Sequence, residues 1–441
     1  MKTVGRPWQF LVNLSPVHAG VLLFAISFLV RLAFIVAFHP YRDLGRYELE
    51  RTAISLATTG VYGNPYAVPT GPTAHVSPGY TLLLAGLFRM FGMGIPAEIV
   101  KELLATTVVS FQYGLLPWVA IILRIDRRAG MLAGLVSALY PATPLVQIDG
   151  DWETPYTALA LMLITVLSVR LWTRHELTMR NALLHGISWG VSLLFVSALF
   201  DIWLVFVIAG IYFCRRAGIR RYLFFASLEV LTVAVCLAPW AIRNFVALGS
   251  PILTRSNLGI ELRVSNNDFA NGDQRMNYLN GVYARYHPLL NREEAMKVRE
   301  LGEVAYNKQV GDDAKQWIRT HPGRFLHLCL DRARCFWLYH DPTSAMKTLF
   351  LNATVLLGFA GFVYVFLEQR VTGAVVAIIL FMYPLPNYLI HVGVRQEYPI
   401  EWLMTLLTAV LILQLISGFS RRQARVRTSD PASLRDTPAR Y

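Results

Sequence analysis

An all-α polytopic membrane fold of about ten transmembrane helices is what the sequence predicts, with interfacial helices in a first outer loop and in a second, large one. Three observations carry that expectation. Hydrophobic residues make up 55% of 441 and charged residues only 16%, against about a quarter charged in soluble domains, and mean hydropathy is +0.43. Apolar runs of roughly 20 residues, the length that crosses a hydrocarbon core of ~30 Å, recur from end to end. The basic excess, formally +13, gathers in short turns between those runs and in the tail. That is the positive-inside distribution and not a nucleic-acid surface, so the expected partner is the membrane and no nucleic acid.

The first span, Val17 to Phe38, has no small-residue cleavage site and contains Arg31, so it reads as a retained helix and not as a removed signal. Later spans are expected near 103–123, 129–146, 154–171, 182–198, 202–214, 222–242, 347–367, 371–391 and 398–418. The 12-residue stretch Tyr80 to Phe91 sets the parity of all that follows, and its length suits an interfacial segment. If it does not span, the turns with Arg124/Arg127/Arg128, Arg174/Arg180, Arg215/Arg216/Arg220/Arg221 and Arg370 share one side with Arg421 to Arg427. The acidic turn Gln147 to Glu153 then faces the other. Charge thus predicts a multi-pass chain with both termini in the cytoplasm.

Four regions follow. Residues 1–242 form an N-terminal transmembrane module with the first outer loop, 243–346 a large extracytoplasmic loop, 347–419 the C-terminal spans, and 420–441 a polar, basic cytoplasmic tail. Within the large loop, Asp312 to His340 reads as one amphipathic stretch lying on the membrane. Phe325, Leu328, Cys329 and Phe336 share a face, Arg324, Asp331 and Arg334 point elsewhere, and Pro322 marks a helix start. The four cysteines show no metal-type spacing. That loop also contains no Asn-x-Ser/Thr acceptor, which leans towards a bacterial plasma (inner) membrane.

Candidate chemistry concentrates in the outer segments. Asp43, Arg46, Tyr47 and Glu50 recur at steps of three, four and seven, which on a helix makes one polar face. A helix cap at Asp43 followed by an Arg46–Glu50 pair accounts for the spacing equally well. The stretch VYGNPYAVPTGPTAHVSPGY is dense in turn residues and suits a cavity wall; His75 lies in it, although loop histidines are more often incidental. Asp149, Asp151 and Glu153 alternate in one turn, which suits a hard divalent cation, Mg²⁺ or Mn²⁺, or a merely solvated turn. Arg243 and Arg395 end or precede spans on the outer side, either as anchors or within reach of an anionic headgroup that a planar guanidinium fork suits.

In order, Arg31, Asp43, Tyr62 to Pro65, Pro78-Gly79-Tyr80, the segment PWAIRNFVALGSPILTRSNLGIELRVSNND, His321 to Phe325 with Phe336-Trp337, and Arg395 to Trp402 resemble GT-C membrane glycosyltransferases. The likeness covers about residues 17 to 415 and is greatest to the branch related to protein mannosyltransferases and rhizobial lipopolysaccharide-core transferases. Where that branch often has a second Arg and a second Pro, this chain has Glu397 and Trp402. The resemblance implies a sugar donor on a polyprenyl phosphate, used at the outer face, and a glycan, lipid or protein acceptor. It implies Asp43 as general base, with Arg46, Tyr47, His75, Asp151, Glu153, Arg243, Asn266, Arg395 and Tyr398 around the substrates. A polysaccharide polymerase or ligase using lipid-linked sugars is a near alternative. A lipid or sugar flippase is a more distant one, since no internal repeat is found.

Overall fold

The computed structural model describes residues 14–140, 143, 147–148, 150–338 and 344–428; Asp149 and the tail beyond Thr428 lie outside them. Among the described residues the regular structure is helical, with two isolated β-bridges, Gly63 with Pro72 and Asp273 with Val392.

Helix α1 (Pro16–Phe38) begins where the Ser15 side chain accepts from His18 N–H and Pro16 fits the first turn. Its buried residues are Ala19, Leu23, Ser27, Arg31 and Ile35, one stripe at steps of four, while Val21, Leu29 and Val36 are exposed. Two short helices follow in the first loop, α2 (Glu48–Thr59) and α3 (Pro78–Phe91). The α3 helix is the expected non-spanning segment; it packs on α2 through Leu84 and Phe88. Next come α4 (Ile95–Ile122), α5 (Arg127–Leu139), α6 (Thr154–Arg174), α7 (Met179–Phe195), α8 (Phe200–Phe213) and α9 (Ile219–Leu248). The α1 stripe packs on α4, where Gly20 and Gly114 meet so closely that a Cβ on either would lie 2.8 Å from the other's carbonyl oxygen. Small residues at such crossings let membrane helices touch along their backbones.

The large loop folds into α10 (Leu258–Ser265), α11 (Gln274–Leu279), α12 (Val282–Tyr286), α13 (Arg292–Leu301), α14 (Glu303–Thr320) and α15 (Pro322–Trp337). The chain returns through α16 (Ala345–Glu368), α17 (Arg370–Met382), α18 (Leu385–Leu389), α19 (Val394–Glu397) and α20 (Glu401–Thr428).

Seven segments of the described chain are long and apolar enough to cross a membrane: α1, α4, α6, α9, α16, Arg370–Leu389 and Val394–Ser417. The other three expected spans form helices of 13 (α5), 17 (α7) and 14 (α8) residues. The amphipathic helix begins at Pro322 as expected, but the stretch from Asp312 to Thr320 belongs to a separate helix. The expected single stretch divides at His321, between α14 and α15, because a residue before proline is pushed out of the helical region.

The large loop is clasped to the first loop. Tyr66 and Val68 enter its core beside Ile260, Val264, Val282 and Tyr306. Ser256 N donates to Ala74 O (2.9 Å), Ala74 N to Glu303 Oε1 (2.8 Å) and Ala67 N to Pro288 O (3.2 Å). The basic turns meet at the other end of the bundle. Thr372 Oγ1 donates to Leu123 O (3.0 Å) and Arg221 Nε to Leu177 O (3.3 Å).

Candidate active site

The expected polar helix face is corrected first. Residues 43 to 47 are not helical: α2 starts at Glu48 with Tyr47 as its cap residue. Asp43 is therefore not the N-cap of that helix; its N–H closes the short 3-10 turn Pro40–Arg42 by donating to Pro40 O. It is exposed, and its Oδ1 accepts from Gly45 N (3.1 Å) in a tight local turn. The side chains at 46 and 50 still converge, because both close on the start of α4. Arg46 lies 2.8 Å from Glu98 and 3.6 Å from Glu50.

At the centre of this convergence is Lys101. Its Nζ donates to Glu50 (2.7 Å) and Asp151 (2.6 Å) and forms an ion pair with Glu98 (2.6 Å), and all four residues except Asp151 are almost wholly buried. The three carboxylates alone have the spacing of a metal site, their oxygens lying within 4.8 Å of one another. The lysine ammonium, however, already stands among them, so the group does not fit a divalent ion as placed. Burial pushes Glu50 up to about 7 and raises Asp151, against the lowering effect of Lys101; the charge of Asp43 adds to the rise at Asp151.

Beside the cage, Tyr47 packs on Trp152 with ring centroids 5.4 Å apart, and the Arg395 guanidinium lies 3.7 Å from the Trp152 ring centroid. Among the described residues no hydrogen-bond acceptor or carboxylate partners Arg395, so its fork of donors is uncommitted. Two cavities flank this wall. A polar one of about 320 Å³ is lined by Tyr47, Glu48, His75, Tyr278 and His287. One of about 440 Å³ is lined by Glu153, Asp201, Asn387 and Pro399. Trp152, Arg255, Glu261, His391 and Arg395 line both. The expected acidic turn is thus divided: Asp151 enters the lysine cage and Glu153 faces the second cavity.

Three histidines close the polar cavity. His287 Nε2 lies 3.3 Å and His75 Nε2 4.0 Å from Glu48 Oε1. The His391 Nδ1 lies 3.3 Å from Glu261 Oε2. Burial pushes Glu48 up to about 7, His287 down to about 4, and His75 well below its ordinary range. Glu48, His75 and His287 also have metal-like spacing. Leu289 N, though, donates to His287 Nδ1 (3.1 Å), which puts the ring proton on Nε2, the nitrogen facing Glu48. A metal there would displace both proton and hydrogen bond, so this trio does not fit one as placed either.

The remaining expected residues lie elsewhere. Arg243 donates to Tyr62 O and Thr73 O, each at 2.6 Å, and holds the first loop shut. Asn266 is buried, donates to Leu389 O (3.1 Å) and accepts from Arg332 (3.1 Å). The Tyr398 hydroxyl points into the bundle, 3.5 Å from that of Tyr113, and the residue lines a separate groove with Glu397 and Glu401. Sequence reasoning missed Glu48, Glu98, Lys101, Arg255, Glu261, His287 and His391. For Glu98 and Lys101 a signal existed: charged residues three apart just before an apolar run, where a membrane helix tolerates them only in pairs.

No family model and no curated protein sequence matches this chain. Solved structures do. The Archaeoglobus fulgidus oligosaccharyltransferase in its apo form is 15% identical with a TM-score of 0.56, over 94% of this chain and 52% of that one. Its complex with Zn and sulfate is 16% identical, TM-score 0.55, over 95% and 51%. The archaeal oligosaccharyltransferase AglB from the same organism, with an inhibitory peptide and a dolichol-phosphate, is 14% identical, TM-score 0.52, over 96% and 52%. The chain spans about half the length of these structures. The likeness is one of fold.

Proposed function

We propose that the chain moves a sugar from a polyprenyl-phosphate donor to a hydroxyl of a glycan, lipid or protein acceptor, at the outer face of a bacterial inner membrane. One observation carries the reading: Arg395, stacked on Trp152, offers an uncommitted guanidinium to two cavities at once. A bidentate donor there suits a phosphate, and its charge stabilises the phosphate as it leaves. Arg255 lines the same two cavities and adds positive charge. The dolichol-phosphate held by one structural neighbour supports a lipid-phosphate donor here.

Asp43, exposed at the mouth of the first loop, is the general base. The acceptor oxygen bonds to the anomeric carbon as the carbon–phosphate-oxygen bond breaks, the electron pair leaves with the polyprenyl phosphate, and the acceptor proton passes to Asp43. Attack opposite the leaving group inverts the anomeric centre. Tyr47, Trp152 and Glu48 border the space where the sugar ring would sit. No step is assigned to a metal ion, because neither carboxylate group accommodates one as placed. The test is a membrane assay with labelled polyprenyl-phosphate sugars. Label should leave the lipid in membranes that carry the protein; label retained with every donor offered rejects the reading.

A further inference from the structure

We propose that Lys101 is an internal substitute for a divalent cation: its ammonium closes the cage of Glu50, Glu98 and Asp151, excludes metal, and holds Asp151 in place for the reaction. Only the last clause rests on the glycosyl-transfer reading. Three carboxylate oxygens stand 2.6–2.7 Å from the ammonium: Glu50 and Asp151 accept its hydrogen bonds and Glu98 pairs with its charge. A hard divalent ion would demand the same oxygens at about 2.0–2.6 Å, so ammonium and metal are mutually exclusive.

The backbone is built around the lysine stem. Gly150 adopts a φ of +63°, and a Cβ there would lie 2.8 Å from Lys101 Cγ and 3.2 Å from Lys101 O. The acidic turn therefore passes directly over Lys101, and glycine is the residue that permits it. Tyr80 pins the same turn by donating to Gly150 O. Displacing Lys101 by an ion would require this turn to move. On the other flank Arg46 supplies a second fixed cation to Glu98. The cage thus has its counter-charge from the chain itself and does not depend on metal supply.

The test uses the purified full chain in detergent, dialysed against chelator and titrated with Mn²⁺, which carboxylate sites accept readily. Mn²⁺ should leave the wild-type melting temperature unchanged. In Lys101→Ala, which vacates the cage, it should produce a bound Mn²⁺ spectrum and a rise of roughly a few degrees. Both should vanish in Lys101→Ala/Asp151→Asn. Wild-type Mn²⁺ binding that Glu50→Gln or Asp151→Asn removes would overturn the proposal, as would a folded Lys101→Ala chain that ignores Mn²⁺. Lys101→Gln, which removes the ammonium and leaves a shorter, neutral side chain with an oxygen ligand, replaces Lys101→Ala should that variant not fold. In the transfer assay, chelator should not slow the wild type, and Mn²⁺ should restore Lys101→Ala by about 10- to 100-fold. Absence of transfer by the wild type would count against the glycosyl-transfer reading alone, because the binding arm is independent of it.

Discussion

Asp43 shows how one side chain separates chemistry from architecture. The sequence allowed it to be a helix N-cap, and the structure removes that role: the only described partner of its carboxylate is the Gly45 N–H. Asparagine accepts that hydrogen bond equally well but cannot take a proton. Asp43→Asn should therefore melt as the wild type does while transfer falls by at least about 10², the lower range for loss of a general base; near-normal turnover would return Asp43 to a local turn role. Arg395→Lys keeps a charge but loses the planar fork and its stacking on Trp152. Transfer should fall about tenfold or more with insertion intact, and an unchanged rate and donor affinity would remove Arg395 from the phosphate. Glu50 gives a pH signature. Its folded value, about 7, lies above its ordinary 4.5 because of burial. Its stabilising contribution is complete below about 4.5 and is lost as the pH rises through about 7. Glu50 is faced by Lys101 and Glu98 from α4, Asp151 from the acidic turn and Arg46. Glu50→Gln should flatten the fall in melting temperature between pH 5 and 8; equal slopes in both proteins would contradict it.

Buried arginines tie helix ends together at the next scale up. Arg31 sits in α1, wholly buried, and donates to Ser137 O (3.0 Å), Ala138 O (3.4 Å) and Gln147 Oε1 (2.7 Å). Those two carbonyls end α5, the negative pole of that helix, which explains an arginine in a span without assigning it to a substrate. Arg332 does the same for the large loop. It donates to Leu389 O (3.0 Å) and Tyr388 O (3.3 Å) at the end of α18, to Asn266 Oδ1, and to Ser265 O at the end of α10. Arg332→Leu should leave Ser265 O and Tyr388 O without this donor, at about 1–3 kcal/mol each, while Leu389 O keeps its bond from Asn266. The large loop should then become the first segment cut in limited proteolysis, and Arg332→Lys should rescue it only partly. Protection equal to the wild type would show that the loop is held elsewhere. Long apolar runs and Pro322 made most helix positions legible. The 43–50 segment was misread because a spacing of three, four and seven also arises when a non-helical strand of chain and a helix start converge on one buried lysine. Arg332 was invisible to pattern reasoning because its face of α15 looked apolar.

The whole molecule sorts its loops to two ends, and this is where the charge argument has its reach. Lys101 near the start of α4 meets Asp151 just before α6, while the far ends of those helices carry the turns at Arg124 and Arg174. The turn at Arg124 joins the one at Gln369, and the turn at Leu177 joins Arg221. The basic turns thus cluster away from the cage, the two cavities and the clasped loops. Pairing of this kind between distant segments, Glu48 with His287 or Thr73 with Glu303, leaves no trace in local pattern, so half of the site was unreadable from the sequence. The sorting of charge was readable because a bilayer reads it too: cytoplasmic ends retain Arg and Lys, and long outer loops translocate whatever their charge. Three of the expected spans are helices of 13, 17 and 14 residues, short against the ~20 that cross unaided, and each packs on a longer neighbour that shields it. If all three cross, fusions of a compartment-sensitive reporter after Arg128, Arg180, Arg221 and Ser420 report cytoplasm, and a fusion at Gly272 reports the outside. If α7 and α8 instead form a re-entrant pair, Arg180 and Arg221 both remain cytoplasmic and parity after the pair is unchanged. If α5 alone failed to cross, Arg180 and Arg221 would switch to the outside and Asp151 would be parted from Lys101 by the membrane, against the ion pair between them. An outside signal at Arg180 is therefore the single result that breaks the ten-span arrangement and, with it, the outer-face reaction.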